Sequence, residues 1–299
     1  MSALTELQSA VAAVAGAVGP SVVGIGSRLR GSGVVIADGR VLTNAHNIRG
    51  GEVTVRFADG RTTRGTVKGL DWDGDLAVVD VDTAGVPAVT FSTAQPTIGS
   101  AVFAAAALPS GGVRVSFGFV SSVARAFRGP GGRRISGSVE HTAPLAPGSS
   151  GSPLLDADGA LLGISTNRVG EGFYLALPVD AGFRAAVDSL ARGESRERPH
   201  LGIAVAPSHV ARRLRRSVGL PERDGVLVRG VETGSPADAA GILEGDLIVA
   251  AAGTPTPDID DLHDALAEAG FPVTVTIVRG AEERTVTVSA EPDGEAPRE

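Results

Sequence analysis

Between Ser21 and about Pro178 the chain repeats one pattern: short Val- and Ile-rich runs separated by Gly, Asp and Pro. The runs include Ser21–Ile25, Gly33–Ile36, Arg40–Thr43, Val53–Phe57, Asp75–Val81, Val113–Val123 and Ala160–Ser165. Asp38-Gly39, Asp59-Gly60 and Asp158-Gly159 are turn signals between such runs. Many short strands with little room for helices predict an all-β barrel or sandwich. Aromatic residues are only 4% of the chain, so Val, Leu, Ile and Ala must build its core.

Helical patterns flank this region. Leu4, Leu7, Val11, Val14 and Val18, at spacings of 3, 4, 3 and 4, form one apolar stripe that Gly19-Pro20 ends. Val179, Phe183, Val187 and Leu190 predict a second helix, capped by Asp180 and closed by Gly193. The polar stretch Gly193–Pro199 reads as a linker. From His200 a different pattern begins, with strands at Gly202–Val205, Gly225–Val231, Asp246–Ala251, Val273–Arg279 and Thr285–Ser289. Short helices near Pro236–Ala240 and Ile259–Ala269 complete a small α+β domain. The expected division is therefore 1–192, a linker at 193–199, a second domain at 200–290 and a disordered tail at 291–299.

Composition excludes several classes. The 299-residue chain has no cysteine, which rules out disulfides, thiolate metal sites and a Cys nucleophile. Its net charge of -7 gives no support for nucleic-acid binding, and the Arg212–Arg216 cluster reads as a solvated helix face. No apolar run reaches the roughly 20 residues that span a bilayer. Residues 1–20 lack a basic start to any apolar run, so the chain as given reads as cytoplasmic, or as periplasmic or extracellular if a targeting segment has been trimmed. No cofactor and no metal is expected.

Three segments carry chemistry. Pro147-Gly148-Ser149-Ser150-Gly151-Ser152-Pro153-Leu154 surrounds a serine with small residues, which lets a substrate backbone approach and lets backbone N–H groups aim at an oxyanion. Val41–His46 is a strand ending in a histidine, and Asp75 stands at the mouth of the strand Leu76–Val79. The order His, Asp, Ser within an all-β domain is that of chymotrypsin-like proteases.

These segments resemble the HtrA (Deg) family of trypsin-like serine proteases with C-terminal PDZ domains. The resemblance rests on Gly19–Val23, Gly31–Gly33, Thr43–His46, Asp75–Val78, Pro147–Leu154 and Ala176–Pro178, and covers Val11 to Ser289. It implies a chymotrypsin-like double β-barrel followed by a small α+β PDZ domain. It implies that Ser150 is the nucleophile, His46 the general base and acid, and Asp75 the group that orients His46. The N–H groups of Gly148 and Ser150 would form the oxyanion hole. His141, nine residues before Ser150, matches no triad position. Ser149, Ser152, Tyr174 and Thr142 depart from the family's usual Asn, Gly, Gly and Asp.

Counting back from Ser150 sets Pro144 and Leu145 in the wall of the substrate pocket, with Tyr174 joining them. With no charge expected there, the residue before the cut should be small or medium aliphatic. In the second domain His200-Leu201-Gly202-Ile203 resembles the family's carboxylate-binding loop, so Leu201, Gly202 and Ile203 would receive a peptide C-terminus beside Leu262 and Leu266. The expected function is an endopeptidase for unfolded or exposed polypeptide segments in protein quality control. Its partners are polypeptide substrates, peptide C-termini and, by family resemblance, two further copies in a trimer. The alternative is a catalytically silent peptide-binding scaffold or chaperone.

Overall fold

A computed structural model describes residues 2–128, 134–170, 172–195 and 201–290. The chain divides into two compact units, residues 1–197 and 198–299. Arg196–Pro199 of the expected linker, His200 and the expected tail at 291–299 lie outside the described residues.

The first unit holds two closed six-stranded barrels. The first barrel is built from β1 (Val22–Ile25), β2 (Gly31–Ala37), β3 (Arg40–Thr43), β4 (Glu52–Arg56), β5 (Thr62–Asp71) and β6 (Leu76–Asp80), in the order β1-β2-β3-β6-β5-β4. The second is built from β7 (Ala101–Ala107), β8 (Val113–Arg128), β9 (Arg134–His141), β10 (Pro153–Leu155), β11 (Leu161–Arg168) and β12 (Tyr174–Pro178), in the order β10-β11-β12-β9-β8-β7. All pairings are antiparallel, and closure leaves no free sheet edge.

The strands look continuously apolar because both of their faces are buried. Val23, Val35, Val41 and Val79 belong to one cluster, while their chain neighbours Val22, Val34, Leu42 and Val78 belong to another. In β7, Val102 and Ala104 join a third cluster, whereas Phe103 and Ala105 join the second. Alternate residues thus pack in each barrel's own core and in a core shared by both, as period-two side-chain direction requires.

Two helices seal the shared core. α1 (Ala3–Val18) starts at Ser2, whose hydroxyl accepts the Thr5 N–H, and buries Val14 and Val18. The predicted stripe is only half used, since Leu4 is 78% exposed. α2 (Ala181–Ala191) starts at Asp180, whose carboxylate accepts the Phe183 N–H, and buries Phe183, Val187 and Leu190.

In the second unit β13 (Ile203–Ala206), β14 (Val226–Val231), β15 (Leu247–Ala251), β16 (Thr254–Pro255), β17 (Val273–Arg279) and β18 (Glu282–Val288) form one sheet. Its order is β13-β14-β15-β17-β18, with β16 paired to β15. Helices α3 (Ser208–Ser217), α4 (Pro236–Ala239) and α5 (Ile259–Ala269) complete it. The arginine face of α3 is not wholly solvated: Arg215 is buried and its Nε donates to the Pro221 carbonyl at 2.9 Å. No helix of the described residues is long and apolar enough to cross a membrane.

Candidate active site

The site lies where loops of the two barrels meet. His46 sits on a single 3-10 turn, Ala45–Asn47, immediately after β3. Asp75 precedes β6 in the left-handed region, at φ 54°, a conformation that few non-glycine residues adopt. Ser150 lies in the loop between β9 and β10.

His46 and Asp75 are joined. His46 Nδ1 lies 2.9 and 3.0 Å from the two Asp75 oxygens, and the His46 backbone N–H donates to Oδ1 at 3.2 Å. The Asp75 side chain is 1% exposed and that of His46 is 26% exposed. A buried carboxylate accepting at Nδ1 fixes the proton there and leaves Nε2 as the basic nitrogen. Asp75 is further held by Thr166, whose hydroxyl donates to Oδ2 at 2.7 Å, and by Asn44, whose Nδ2 donates to the Asp75 carbonyl at 2.9 Å.

Ser150 is oriented differently. Its hydroxyl donates to the Thr166 carbonyl at 3.1 Å, and among the described residues it makes no hydrogen bond to His46. Its own carbonyl accepts from the Ser32 N–H at 2.7 Å and from Asn47 Nδ2 at 2.8 Å. The Ser32 hydroxyl donates to the Gly148 carbonyl at 3.0 Å and accepts the Ala107 N–H at 3.1 Å. First-barrel donors therefore clamp the serine loop. Gly148 (φ 86°) and Gly151 (φ 88°) give the loop its shape, and a Cβ on Gly151 would stand 2.1 Å from the Ser32 carbonyl oxygen. Among the described residues the N–H groups of Gly148 and Ser150 have no backbone acceptor.

Beside Ser150 opens a cavity of about 270 Å³. Leu145 and Tyr174 line it, together with Ser149, Ser165, Thr166 and Arg168. Pro144 does not; its carbonyl accepts the Ser116 hydroxyl at 2.7 Å. Arg168, at the end of β11, also borders the cavity, against the expectation of an uncharged wall, with its Nε donating to the Gly170 carbonyl at 2.8 Å. His141 is fully buried and stacks on Tyr174, and burial lowers its pKa to about 4. Sequence reasoning missed Thr166, Ser32, Asn47 and Ser165. Ser32 lies in the Gly31-Ser32-Gly33 motif, but nothing local announces Thr166, sixteen residues beyond Ser150.

In the second unit the Gly202 carbonyl accepts the Glu232 N–H at 2.8 Å and the Leu201 carbonyl accepts the Ala237 N–H at 2.9 Å. The N–H groups of Leu201 and Gly202 have no backbone acceptor among the described residues. β13 pairs only with β14, so its outer edge carries no strand among the described residues. Leu201, Leu262 and Leu266 are buried in one cluster, against which Ile203 and Ile259 pack.

The double barrel and the matches that follow define a trypsin-like serine endopeptidase. Residues 31–164 match the trypsin-like peptidase domain and residues 227–279 match the PDZ domain. HhoA of Synechocystis sp. (strain ATCC 27184 / PCC 6803 / Kazusa), a serine protease by inference, is 34% identical over 280 residues, covering 87% of this chain and 70% of that protein. Protease Do-like 1, chloroplastic, of Arabidopsis thaliana is 32% identical over 286 residues, covering 88% of this chain and 63% of the relative. The serine endoprotease from Yersinia pestis superposes with a TM-score of 0.60 at 25% identity, covering 93% of this chain and 96% of that one. The HtrA-type protease AlgW with decapeptide shares the fold at a TM-score of 0.63 and 24% identity, covering 96% and 99%. The chain belongs to the HtrA family of serine proteases, and it spans 56 to 70% of the length of the first three curated relatives.

Proposed function

We propose that this protein cleaves unfolded or exposed polypeptide segments with Ser150 as nucleophile, His46 as general base and then acid, and Asp75 as the group that orients His46. The observation that carries the reading is the bond from His46 Nδ1 to both oxygens of buried Asp75, which frees Nε2 to take a proton. Rotation of the Ser150 side chain away from the Thr166 carbonyl brings its hydroxyl toward Nε2. Attack on the scissile carbonyl then passes the hydroxyl proton to His46, while the N–H groups of Gly148 and Ser150 take up the negative charge on the carbonyl oxygen. His46 returns the proton to the leaving amine, and water repeats the sequence on the acyl-enzyme.

The reading keeps a protease domain at 1–192, a linker at 193–199 and a PDZ domain at 200–290, and a division of the chain into compact units between residues 197 and 198 supports it. The free edge of β13 and the N–H groups of Leu201 and Gly202 support capture of a peptide C-terminus as an added strand, with Ile203 beneath it and Leu262 and Leu266 forming the floor. A homotrimer is the assembly carried over from family likeness, and light scattering on the full chain tests it. The catalytic assignment is tested with a labelled fluorophosphonate. Wild type should be modified at Ser150 and should digest casein, and Ser150→Ala should do neither. A Ser150→Ala protein that digests casein at the wild-type rate would remove the nucleophile assignment, and an unlabelled wild type would leave a peptide-binding scaffold.

A further inference from the structure

Asn47 follows His46 on the same 3-10 turn, and its side chain reaches from the first barrel to the Ser150 loop of the second. It is 1% exposed. Its Nδ2 donates to the Ser150 carbonyl at 2.8 Å and to the Thr43 hydroxyl oxygen at 3.0 Å. Thr43 gives its own hydrogen to the Ser32 carbonyl at 2.6 Å, so toward Asn47 it can only accept. The Ser150 carbonyl oxygen can only accept as well. Two acceptors therefore face the nitrogen end of the amide and fix which way it points. Two glycines make room for it: a Cβ on Gly31 would stand 2.2 Å from Nδ2, and one on Gly151 would stand 2.9 Å from it.

The other end of the amide has a cost. Asn47 Oδ1 is buried and accepts no hydrogen bond among the described residues, and an unpaired buried acceptor lowers stability. Nor do the two acceptors depend on the amide. The Ser150 carbonyl also accepts the Ser32 N–H at 2.7 Å, and the Thr43 hydroxyl keeps its bond to the Ser32 carbonyl. An apolar side chain at position 47 would leave neither group without a partner and would remove the stranded oxygen. Stability alone does not account for an amide at this place. The turn it grows from is itself held still: the Asn47 N–H donates to the Asn44 carbonyl at 3.1 Å, and the His46 N–H donates to Asp75 Oδ1 at 3.2 Å.

We propose that Asn47 is a positioning residue: it sets the separation of His46 Nε2 and the Ser150 hydroxyl by tying the turn of the one to the carbonyl of the other. The proposal rests on His46 and Ser150 being base and nucleophile. Asn47 touches no reacting atom in this reading. It acts because proton transfer from serine to imidazole is steep in distance, and a displacement of about 1 Å can cost on the order of 100-fold in rate. Ser32 grips the same carbonyl from β2, so without Asn47 the loop keeps its place on the first barrel and loses its register to the histidine turn.

The test uses full-length Asn47→Leu and Asn47→Ala, with rates taken per folded molecule from circular dichroism. Asn47→Ala carries the comparison if leucine is too large for the space beside Gly31. Both variants should lose kcat on the order of 10- to 100-fold and react with a fluorophosphonate more slowly by the same factor, with KM within about twofold of wild type. The acid limb of kcat/KM against pH, which reports the free imidazole, should stay where it is in wild type, because the His46–Asp75 bonds are untouched. Folded variants that turn over and label at the wild-type rate, a loss confined to KM, or an acid limb that moves would each overturn the proposal. Labelling also separates the two levels. A labelled wild type whose Asn47 variants label equally fast sinks this inference alone, whereas a wild type that neither labels nor cleaves sinks the nucleophile assignment beneath it.

Discussion

The hydroxyl of Thr166 donates to Asp75 Oδ2 at 2.7 Å. The carbonyl of the same residue holds the Ser150 hydroxyl at 3.1 Å, so Thr166 touches both the carboxylate bonded to His46 and the hydroxyl of the proposed nucleophile. Thr166→Val keeps the carbonyl and the side-chain shape and removes only the donor to Asp75. A hydrogen bond to a charged group is worth about 1.5–3 kcal/mol, and loss of part of it at the transition state should lower kcat on the order of tenfold. KM should change little, because Thr166→Val removes no group that binds substrate. Steady-state kinetics on one peptide decide it, and a change confined to KM would contradict this role.

Ser32 works on the serine loop from the other barrel. Its hydroxyl is the donor to the Gly148 carbonyl in partly buried surroundings and the acceptor for the Ala107 N–H in buried ones. Ser32→Ala strands that N–H at a cost of about 1–3 kcal/mol of stability. It also frees the Gly148 peptide, so kcat should fall in protein that is still folded. Thermal unfolding and active-site titration, measured together, separate the two effects. A variant with lowered stability and wild-type kcat would confine Ser32 to a structural part.

His141 gives stability a pH dependence with a definite sign. The folded protein resists its protonation down to about pH 4, while an unfolded chain takes the proton near pH 6.5. Between these values the unfolded state binds more protons than the folded state. The contribution is therefore complete above about 6.5, declines as pH falls, and is gone below about 4, for a total of about 3 kcal/mol. Urea midpoints at pH 7 and pH 4.5 for wild type and His141→Leu measure it. The variant should lose this part of the slope, and identical slopes would refute the claim.

Asp246 makes the corresponding point in the PDZ unit. Its carboxylate is 1% exposed and accepts from Arg279 Nε at 2.8 Å and Nη2 at 2.7 Å, and from the Leu243 N–H at 2.8 Å. Arg279→Met leaves a buried charge with a single donor and should cost about 3 kcal/mol. Adding Asp246→Asn should recover a good part of that loss, because the stranded charge is removed. Unfolding of the full-length single and double variants, followed by urea titration, reads the coupling.

The all-β character and the segments around His46, Asp75 and Ser150 were legible in short local signatures, and the double barrel followed from the family resemblance that those segments carry. Strand β5 was not, since Thr62–Asp71 mixes polar and apolar residues without a clean period. Strand β7 was not either: Ala101–Ala107 is mostly alanine, which carries no strand preference of its own, and it becomes a strand because Val102 and Phe103 have cores waiting on opposite faces. Arg168 borders the cavity for a reason no local reading supplies, namely its place at the end of β11. Thr166 and Ser32 share that character. Their parts come from chain segments 91 and 116 residues away, at Asp75 and Gly148.

The seam between the barrels has a consequence for the life of the protein before it is finished. The proposed base and its carboxylate belong to the first 80 residues, and the proposed nucleophile belongs to a loop of the second barrel whose Ser150 carbonyl accepts from Ser32 and Asn47 of the first. A ribosome-bound chain that has made only the first barrel holds half a reaction centre, and so does an unfolding chain whose barrels have parted. Under the proposed mechanism, parting of the two barrels would separate the nucleophile from its base and end turnover while each barrel kept its own strand pairings.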